Sequence, residues 1–134
     1  MKGLTRLGAT YTLEHGYVHA RAERLVGAEV VFDMPTVTGT ENLMLAASRA
    51  QGTTILRNAA REPEVIDLAV ALGGMGVDIE GAGTADIVVH GATRLTPYRH
   101  PVVADRIELG TFLVAGAMAG DGLRVVGGVP AHQA

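Results

Sequence analysis

The spacing of apolar positions changes several times along this chain and predicts short elements of two kinds. Apolar and polar residues alternate at 11–14 and again at 17–21, on either side of His15-Gly16. This pattern predicts a β-hairpin with glycine in its turn. Residues 27–33 predict a third strand.

Helical spacing follows the third strand and returns twice. Thr40 is predicted to cap a first helix over residues 41–51. A second helix is predicted over 62–72 and ends at Gly73-Gly74. A third is predicted over 106–119. Strands are predicted at residues 53–57, 77–80, 87–90 and 123–126, of which 77–80 and 87–90 form a second hairpin.

Three glycines reveal an internal repeat, because each follows a predicted helix and opens a predicted strand: Gly52, Gly76 and Gly122. The helices between them are small and apolar on more than one face. We therefore predict an α/β fold with helices inside and sheets outside. An ordinary two-layer α/β sandwich is the alternative that the pattern leaves open.

Composition narrows the class of protein. The length of 134 residues, with 48% hydrophobic and 19% charged residues, is typical of one globular domain. A net charge of −3 and few aromatic residues argue against nucleic-acid binding. The chain has no cysteine, which excludes disulfides, zinc-thiolate sites and a cysteine nucleophile within it. No apolar run approaches membrane-spanning length, so we expect a soluble cytoplasmic protein without a membrane partner.

The histidines do not indicate a metal site. His15 and His19 have the spacing HxxxH, but they lie on either side of a hairpin turn and not on a helix. His90, His100 and His132 are not clustered along the chain. No glycine-rich phosphate loop is present. We therefore expect neither a metal nor a cofactor.

Charged residues gather at two predicted helix entrances. In the run Arg61-Glu-Pro-Glu64, the proline suits a first helical turn and the carboxylates complement the helix dipole. A second charged entrance is Asp105-Arg-Ile-Glu108. Each could be a capped surface helix or part of a functional site, and the pattern by itself leaves both interpretations open.

Six short motifs occur in order along nearly the whole chain, from about residue 8 to residue 128. They are Gly8-Ala-Thr10, Asp33-Met-Pro-Thr-Val-Thr-Gly-Thr-Glu-Asn-Leu-Met44, Gly52-Thr-Thr54, Asn58-Ala-Ala-Arg-Glu-Pro-Glu64, Gly81-Ala-Gly-Thr84, and Asp105-Arg-Ile-Glu108 with Gly110-Thr-Phe112. The set resembles the UDP-N-acetylglucosamine 1-carboxyvinyltransferases, a family of enolpyruvyl transferases. The related transferases that act on shikimate 3-phosphate share the fold, but these motifs resemble the nucleotide-sugar branch.

This resemblance implies a fold of two domains, each built from three βαβαββ units packed as an inside-out α/β barrel. The chain would be an internal portion of such a protein. Residues 1–103 would belong to one barrel domain, with a nucleotide-sugar loop at 33–40, and residues 104–134 would begin the return into the other domain.

The resemblance also implies a reaction. The family transfers the enolpyruvyl group of phosphoenolpyruvate to the 3-hydroxyl of UDP-N-acetylglucosamine, by addition and elimination through a tetrahedral intermediate, as the first step of peptidoglycan synthesis. Its catalytic lysine, cysteine-bearing loop and aspartate base lie outside the matched segment. Lys2 is the only lysine here and lies outside the match. We therefore assign no catalytic residue and expect the isolated chain to be inactive.

By the same resemblance, five consecutive residues would contact the nucleotide sugar: Met34, Pro35, Thr36, Val37 and Thr38. Met34 stands where many family members have a basic residue, so the contacts are expected from backbone and hydroxyl groups of Thr36 and Val37. Glu62, Asp105 and Arg106 would line or brace the cleft between the domains. Turn and cap roles for Thr36, Thr38 and Asp105 remain the structural alternative.

A second function class stays open beside the transferase. The chain could be a non-catalytic folded module that binds a nucleotide sugar weakly or not at all. Missing repeat units would leave apolar helix faces and strand edges uncovered, which predicts self-association.

Overall fold

The computed structural model describes residues 1–120 and 122–133, which form two compact units, one of residues 1–100 and one that begins at residue 101. The elements of the first unit are α1 (Lys2–Arg6), β1 (Thr10–Glu14), β2 (Tyr17–Arg21), β3 (Glu29–Val31), α2 (Val37–Ala47), β4 (Thr53–Arg57), α3 (Pro63–Gly74), β5 (Asp78–Glu80) and β6 (Asp86–His90). The second unit contains α4 (Arg106–Ala119) and a short 3-10 helix (Pro130–Gln133).

The first unit contains one four-stranded sheet with the strand order β3-β4-β6-β5. Strands β3 and β4 run parallel and are joined through α2, whereas β6 is antiparallel to both β4 and β5. From β3 to β6 the chain therefore follows the order βαβαββ. This is the repeat unit that the family resemblance implied.

One face of this sheet packs against α2 and α3. Its inward side chains, such as Leu56 and Ile87, are directly opposite each other across β4 and β6 and are fully buried. Met44 from α2 and Val65 from α3 fill the same core. Burial of such aliphatic side chains contributes roughly 1.5–3 kcal/mol each, which makes this layer the main source of stability.

The opposite face of the sheet is polar. Arg57 donates to Glu29 at 2.5 Å and to Asp86 at 3.0 Å, so one guanidinium joins three neighbouring strands. The hydrogen bond to Glu29, followed by the charges of Asp86 and Glu29, raises the pKa of Arg57 above its ordinary value.

The predicted first hairpin is confirmed. Strands β1 and β2 pair in antiparallel register with Glu14 opposite Tyr17. His15 and Gly16 have φ angles of 51° and 83°, and this pair of positive φ values is what a two-residue hairpin turn requires. All residues of both strands are exposed.

The first long helix begins earlier than predicted. Helix α2 starts at Val37 and Thr36 is its N-cap, so the prediction of Thr40 as the cap is wrong. Thr40 is fully buried one turn into the helix. Both threonines precede apolar residues at helical spacing, but only Thr36 has the extended backbone of a cap, with φ −146° and ψ 121°.

The other helices differ less from prediction. Helix α3 runs two residues further than expected, because Gly73 and Gly74 lie within its last turn. Helix α4 has the predicted bounds. The five-residue helix α1 was not predicted, since it is too short to show periodicity.

The three glycines of the repeat all have left-handed backbones, with φ of +87° at Gly52, +97° at Gly76 and +119° at Gly122. Gly52 directly precedes β4, and Gly76 lies two residues before β5. Residues 123–126 do not form the predicted strand, because a strand needs a hydrogen-bonded neighbour and the described part of the second unit offers none. Strand β3 is also shorter than the predicted 27–33.

Apolar side chains remain on the outer surfaces of the helices. Leu45 on α2 and Ile66 and Val70 on α3 are exposed. Helices α2 and α3 thus each bury one face only. Among the described residues, no helix is long and apolar enough to cross a membrane.

Candidate substrate-binding loop

The segment between β3 and α2 contains Met34, Pro35 and Thr36, and α2 begins with Val37 and Thr38, the other two residues predicted to contact a nucleotide sugar. The first residue of this segment, Phe32, is held by hydrogen bonds. The backbone N–H of Phe32 donates to the carbonyl of Arg57 at 3.0 Å. The Asn58 side chain donates to the carbonyl of Phe32, also at 3.0 Å. Asn58 has a φ of 55°, a left-handed conformation that asparagine tolerates better than most residues. The end of β4 therefore fixes where the loop leaves β3.

Thr36 ends the loop and caps α2. Its Oγ1 accepts from the N–H of Gly39 at 3.3 Å, and its carbonyl accepts from the N–H of Thr40 at 2.9 Å. Because the first N–H groups of a helix have no partner within the helix, those of Val37 and Thr38 point outward from its N-terminus. The capping interpretation of Thr36 is correct, yet its hydroxyl proton is still free to be donated.

The loop is open to solvent. Met34 is 76% exposed, Pro35, Thr36 and Thr38 are also exposed, and Val37 is half-buried. Thr38 lies in the first turn of α2, where its carbonyl accepts from the Asn42 side chain at 2.8 Å. A ligand could therefore reach both the loop backbone and the helix N-terminus.

Gly39 is required by the closeness of the cap. A Cβ atom at this position would overlap the Cγ2 methyl of Thr36 and come within 3.4 Å of the Phe32 ring. A side chain at residue 39 would force the Thr36 side chain out of its capping position. This role of Gly39 depends on its contact with the preceding turn, which the sequence pattern does not show.

The charged segment at residues 58–64 lies beside the start of α2. The N–H of Ala60 donates to the buried Oγ1 of Thr40 at 3.0 Å. Glu62 is the N-cap residue of α3, and its Oε2 accepts from the N–H of Arg61 at 2.8 Å. Pro63 occupies the first turn, as predicted.

Parallel pairing explains why these two segments meet. The carboxyl ends of β3 and β4 lie at the same edge of the sheet, and each leads into the N-terminus of a helix. Ligands commonly bind at such an edge in α/β proteins. The structure thus brings Glu62 to the same edge as the predicted nucleotide-sugar loop.

Two carboxylates lie close together where α2 and α3 begin. Burial, and to a lesser degree the charge of Glu64, raises the pKa of the Glu41 carboxyl above its ordinary value.

Near the base of the loop, Asp33 forms an exposed ion pair with Lys2 at 3.1 Å. Lys2 and Arg6 line a cavity of about 600 Å³ that borders Asp33.

The other two predicted residues lie in the second unit. Asp105 caps α4, since its Oδ1 accepts from the N–H of Ile107 at 2.8 Å and of Glu108 at 3.0 Å. The carbonyl of Arg106 accepts from the Gln133 side chain at 2.7 Å. These contacts explain the local structure. The placement of Asp105 and Arg106 at an interdomain cleft stays a prediction.

Comparison with known proteins defines the class. The whole chain, residues 1–134, matches the family model described as EPSP synthase (3-phosphoshikimate 1-carboxyvinyltransferase). The chain therefore belongs to this family of enolpyruvyl transferases.

More specific similarity is found among curated relatives. The chain is 58% identical over 132 residues to the UDP-N-acetylglucosamine 1-carboxyvinyltransferase of Acidobacterium capsulatum, covering 98% of this chain and 30% of that protein. It is 56% identical over 133 residues to the protein of the same name from Desulforapulum autotrophicum, covering 99% of this chain and 32% of the relative. The chain thus spans about a third of the length of these relatives.

A solved structure supports the fold. The crystal structure of the enolpyruvyl transferase NikO from Streptomyces tendae superposes with a TM-score of 0.76 at 27% identity. The match covers 86% of this chain and 30% of that chain. The predicted fold class, a partial copy of the inside-out α/β barrel, is confirmed.

Proposed function

We propose that this chain is part of an enolpyruvyl transferase that transfers the enolpyruvyl group of phosphoenolpyruvate to the 3-hydroxyl of UDP-N-acetylglucosamine, the first step of peptidoglycan synthesis. The observation that carries the proposal is the 58% identity, over nearly the whole chain, to a relative named for this substrate. Both substrates are phosphate esters that do not cross a bilayer unaided, so the reaction would take place in the cytoplasm.

Within this protein, residues 34–38 would hold the nucleotide sugar. The outward N–H groups of Val37 and Thr38 and the Thr36 hydroxyl are all donors, and the positive end of the α2 dipole favours a diphosphate. Met34 and Pro35 would contribute apolar surface beside these donors. Glu62, Asp105 and Arg106 would line or brace the cleft in which the complete enzyme closes on its substrates.

The catalytic groups would come from other parts of the complete enzyme. Addition to the enolpyruvyl double bond needs a proton donor and a base near the reacting carbon, and cations for the phosphate and carboxylate. The loop and the segment at 58–64 supply hydrogen-bond donors and carboxylates, but this chain contains one lysine and no cysteine. We therefore propose that the isolated chain binds the nucleotide sugar and does not turn it over.

Titration with UDP-N-acetylglucosamine, followed through the amide resonances of the chain, tests the binding site. We expect saturable shifts at residues 34–38. Thr36→Val, which removes the hydroxyl, should weaken binding, and Thr36→Ser, which retains it, should restore binding. The absence of shifts in a folded sample at millimolar nucleotide sugar would contradict the proposed loop.

Phosphate release from phosphoenolpyruvate in the presence of UDP-N-acetylglucosamine tests the proposal that the isolated chain is catalytically inactive. We expect no release above background from the 134-residue chain. Turnover by the isolated chain would show that a complete catalytic set is present, and the assignment of catalysis to other segments would be wrong.

A further inference from the structure

Three metal-binding side chains meet on the exposed face of the sheet, far along the chain from the loop described above. They are Asp78 and Glu80 on β5 and His90 on β6, and their ligand atoms all lie within 4.8 Å of one another. Strand register causes this meeting. Asp78 is directly opposite His90, and Glu80 is two residues further along β5 on the same face.

The His90 ring is already oriented for metal binding. Its Nδ1 lies 3.0 Å from the Thr53 hydroxyl on β4, and its Nε2 lies 3.8 Å from Glu80 Oε1. When Nδ1–H donates to the hydroxyl, the lone pair of Nε2 faces the carboxylates. A hydrogen bond of this kind to the second ring nitrogen is typical of metal-bound histidines.

We propose that Asp78, Glu80 and His90 form a binding site for a divalent transition metal such as Zn²⁺, with water completing the coordination. One imidazole and two carboxylates are ligands that Zn²⁺ accepts, whereas Mg²⁺ and Ca²⁺ prefer oxygen ligands alone. This proposal is independent of the transferase function.

The distance between His90 and Glu80 is compatible with tetrahedral coordination. Tetrahedral ligands at 2.0–2.2 Å from Zn²⁺ lie roughly 3.3–3.6 Å apart. The separation of 3.8 Å between His90 and Glu80 is close to this value. The Glu80 side chain is 71% exposed and can move the remaining few tenths of an ångström without disturbing the core.

Charge and position both favour the site. A cation would neutralise two carboxylates that lie side by side on one face of β5. Strand β5 has three residues and lies at the edge of the sheet, hydrogen-bonded to β6. A bound metal would tie this short strand to its neighbour.

Titration of the full chain with zinc chloride by calorimetry, together with the His90 ring nitrogen resonances, tests the site. We expect one saturating equivalent of Zn²⁺ and a shift of the His90 Nε2 resonance. Excess Mg²⁺ should not compete. Substitution with Co²⁺ should produce visible absorption bands whose intensity reports the coordination.

Variants separate this site from the other histidines. His90→Gln and Glu80→Gln should each weaken Zn²⁺ binding by about tenfold or more. His19→Ala, in the exposed hairpin, should leave the affinity unchanged. Glu80→Gln decides the outcome if His90→Gln does not fold. Unchanged affinity in Glu80→Gln, an equal loss in His19→Ala, or no saturable binding by the wild-type chain would overturn the proposal.

Discussion

The hydroxyl oxygen of Thr40 accepts a hydrogen bond from the backbone N–H of Ala60 at 3.0 Å, and both residues are buried. This bond joins the first turn of α2 to the segment that leads into α3. The two sides of the proposed substrate edge therefore depend on each other through one buried hydroxyl.

Replacing Thr40 with valine should destabilise the chain by about 1–3 kcal/mol, because the Ala60 N–H would be buried without an acceptor. Thr54→Val is the matched control. Within residues 1–120 and 122–133, the Oγ1 of Thr54 is buried without a hydrogen-bond partner, so its removal should be neutral or stabilising. Urea unfolding of both variants measures the difference. Equal effects of the two substitutions would contradict the role assigned to the Thr40–Ala60 bond.

Gly39→Ala should destabilise the chain and shift the amide resonances of residues 34–38, because the new methyl would overlap Thr36. Helix propensity alone predicts the opposite, a gain of up to about 1 kcal/mol. Gly73→Ala in α3 provides the comparison, since a Cβ there meets nothing within 4 Å, and this variant should be stabilised. Thermal unfolding and amide spectra of both variants test the prediction, which would be wrong if Gly39→Ala were the more stable.

His100→Ala should release the end of the first unit from α3. His100 Nε2 lies 2.8 Å from Asp67 Oδ1, and the side chains are only 16% and 20% exposed. The Tyr98 ring is stacked near the His100 ring, with centroids 6.1 Å apart. We expect a loss of about 1–3 kcal/mol in the free energy of unfolding.

A double-mutant cycle with Asp67→Asn isolates the His100–Asp67 pair. His19→Ala, on an exposed hairpin strand, should change stability by less than about 0.5 kcal/mol and serves as the control. Additive effects of His100→Ala and Asp67→Asn would show that the short distance does not report a stabilising interaction.

Glu41→Gln should stabilise the chain slightly at neutral pH. Burial, assisted by the charge of Glu64, raises the pKa of Glu41 from 4.5, so the folded chain retains this proton to a higher pH than the unfolded chain. Stability is consequently lost as the pH rises from 4.5 through the raised value, and removing the charge removes this loss. Partial exposure limits the gain to about 0.5 kcal/mol or less.

The pH dependence distinguishes this effect from a general change in charge. The difference between Glu41→Gln and the wild-type chain should disappear well below pH 4.5, where both forms are neutral. Glu14→Gln, in the exposed hairpin, controls for the loss of one negative charge. If Glu41→Gln remained equally stabilised relative to the wild-type chain well below pH 4.5, the raised pKa of Glu41 would not be the cause.

The isolated chain should self-associate through the apolar side chains that α4 exposes, which include Ile107, Phe112, Leu113, Val114 and Met118. Exposed apolar patches of this kind are uncommon on soluble monomers. Sedimentation velocity over about a hundredfold dilution should show a shift from larger species to monomer. Met118→Lys should move this shift to higher concentration. A chain that sedimented as a monomer throughout would contradict the prediction.

The predicted elements and the observed ones agree wherever the local signal was strong. The hairpin at His15-Gly16 was predictable because a glycine between two alternating runs favours a tight turn. Helix α4 was predictable from the charged cap at Asp105 followed by an apolar run. The strand expected at residues 123–126 did not form, because β-type sequence does not provide the neighbour that a strand needs.

The sequence predicted which residues form the candidate site, but it did not predict how those residues are arranged in space. The motif containing residues 34–38 was found from resemblance, but its correct helix start required the contact between Thr36 and Gly39. The same holds for His90, whose sequence neighbours show no clustering. Its two carboxylate partners lie on another strand, and only the register of β5 against β6 brings them together.

The sequence by itself determined the order of the elements from β1 to α4, the family and the residues proposed to contact the nucleotide sugar, because periodicity, turn residues and ordered motifs are local properties of the chain. The tertiary structure alone decided which threonine caps α2, which hydroxyl joins α2 to the segment before α3, and which side chains share the outer face of the sheet. These outcomes depend on strand register and on close packing between segments that are separated along the chain, as Thr40 and Ala60 are by 20 residues.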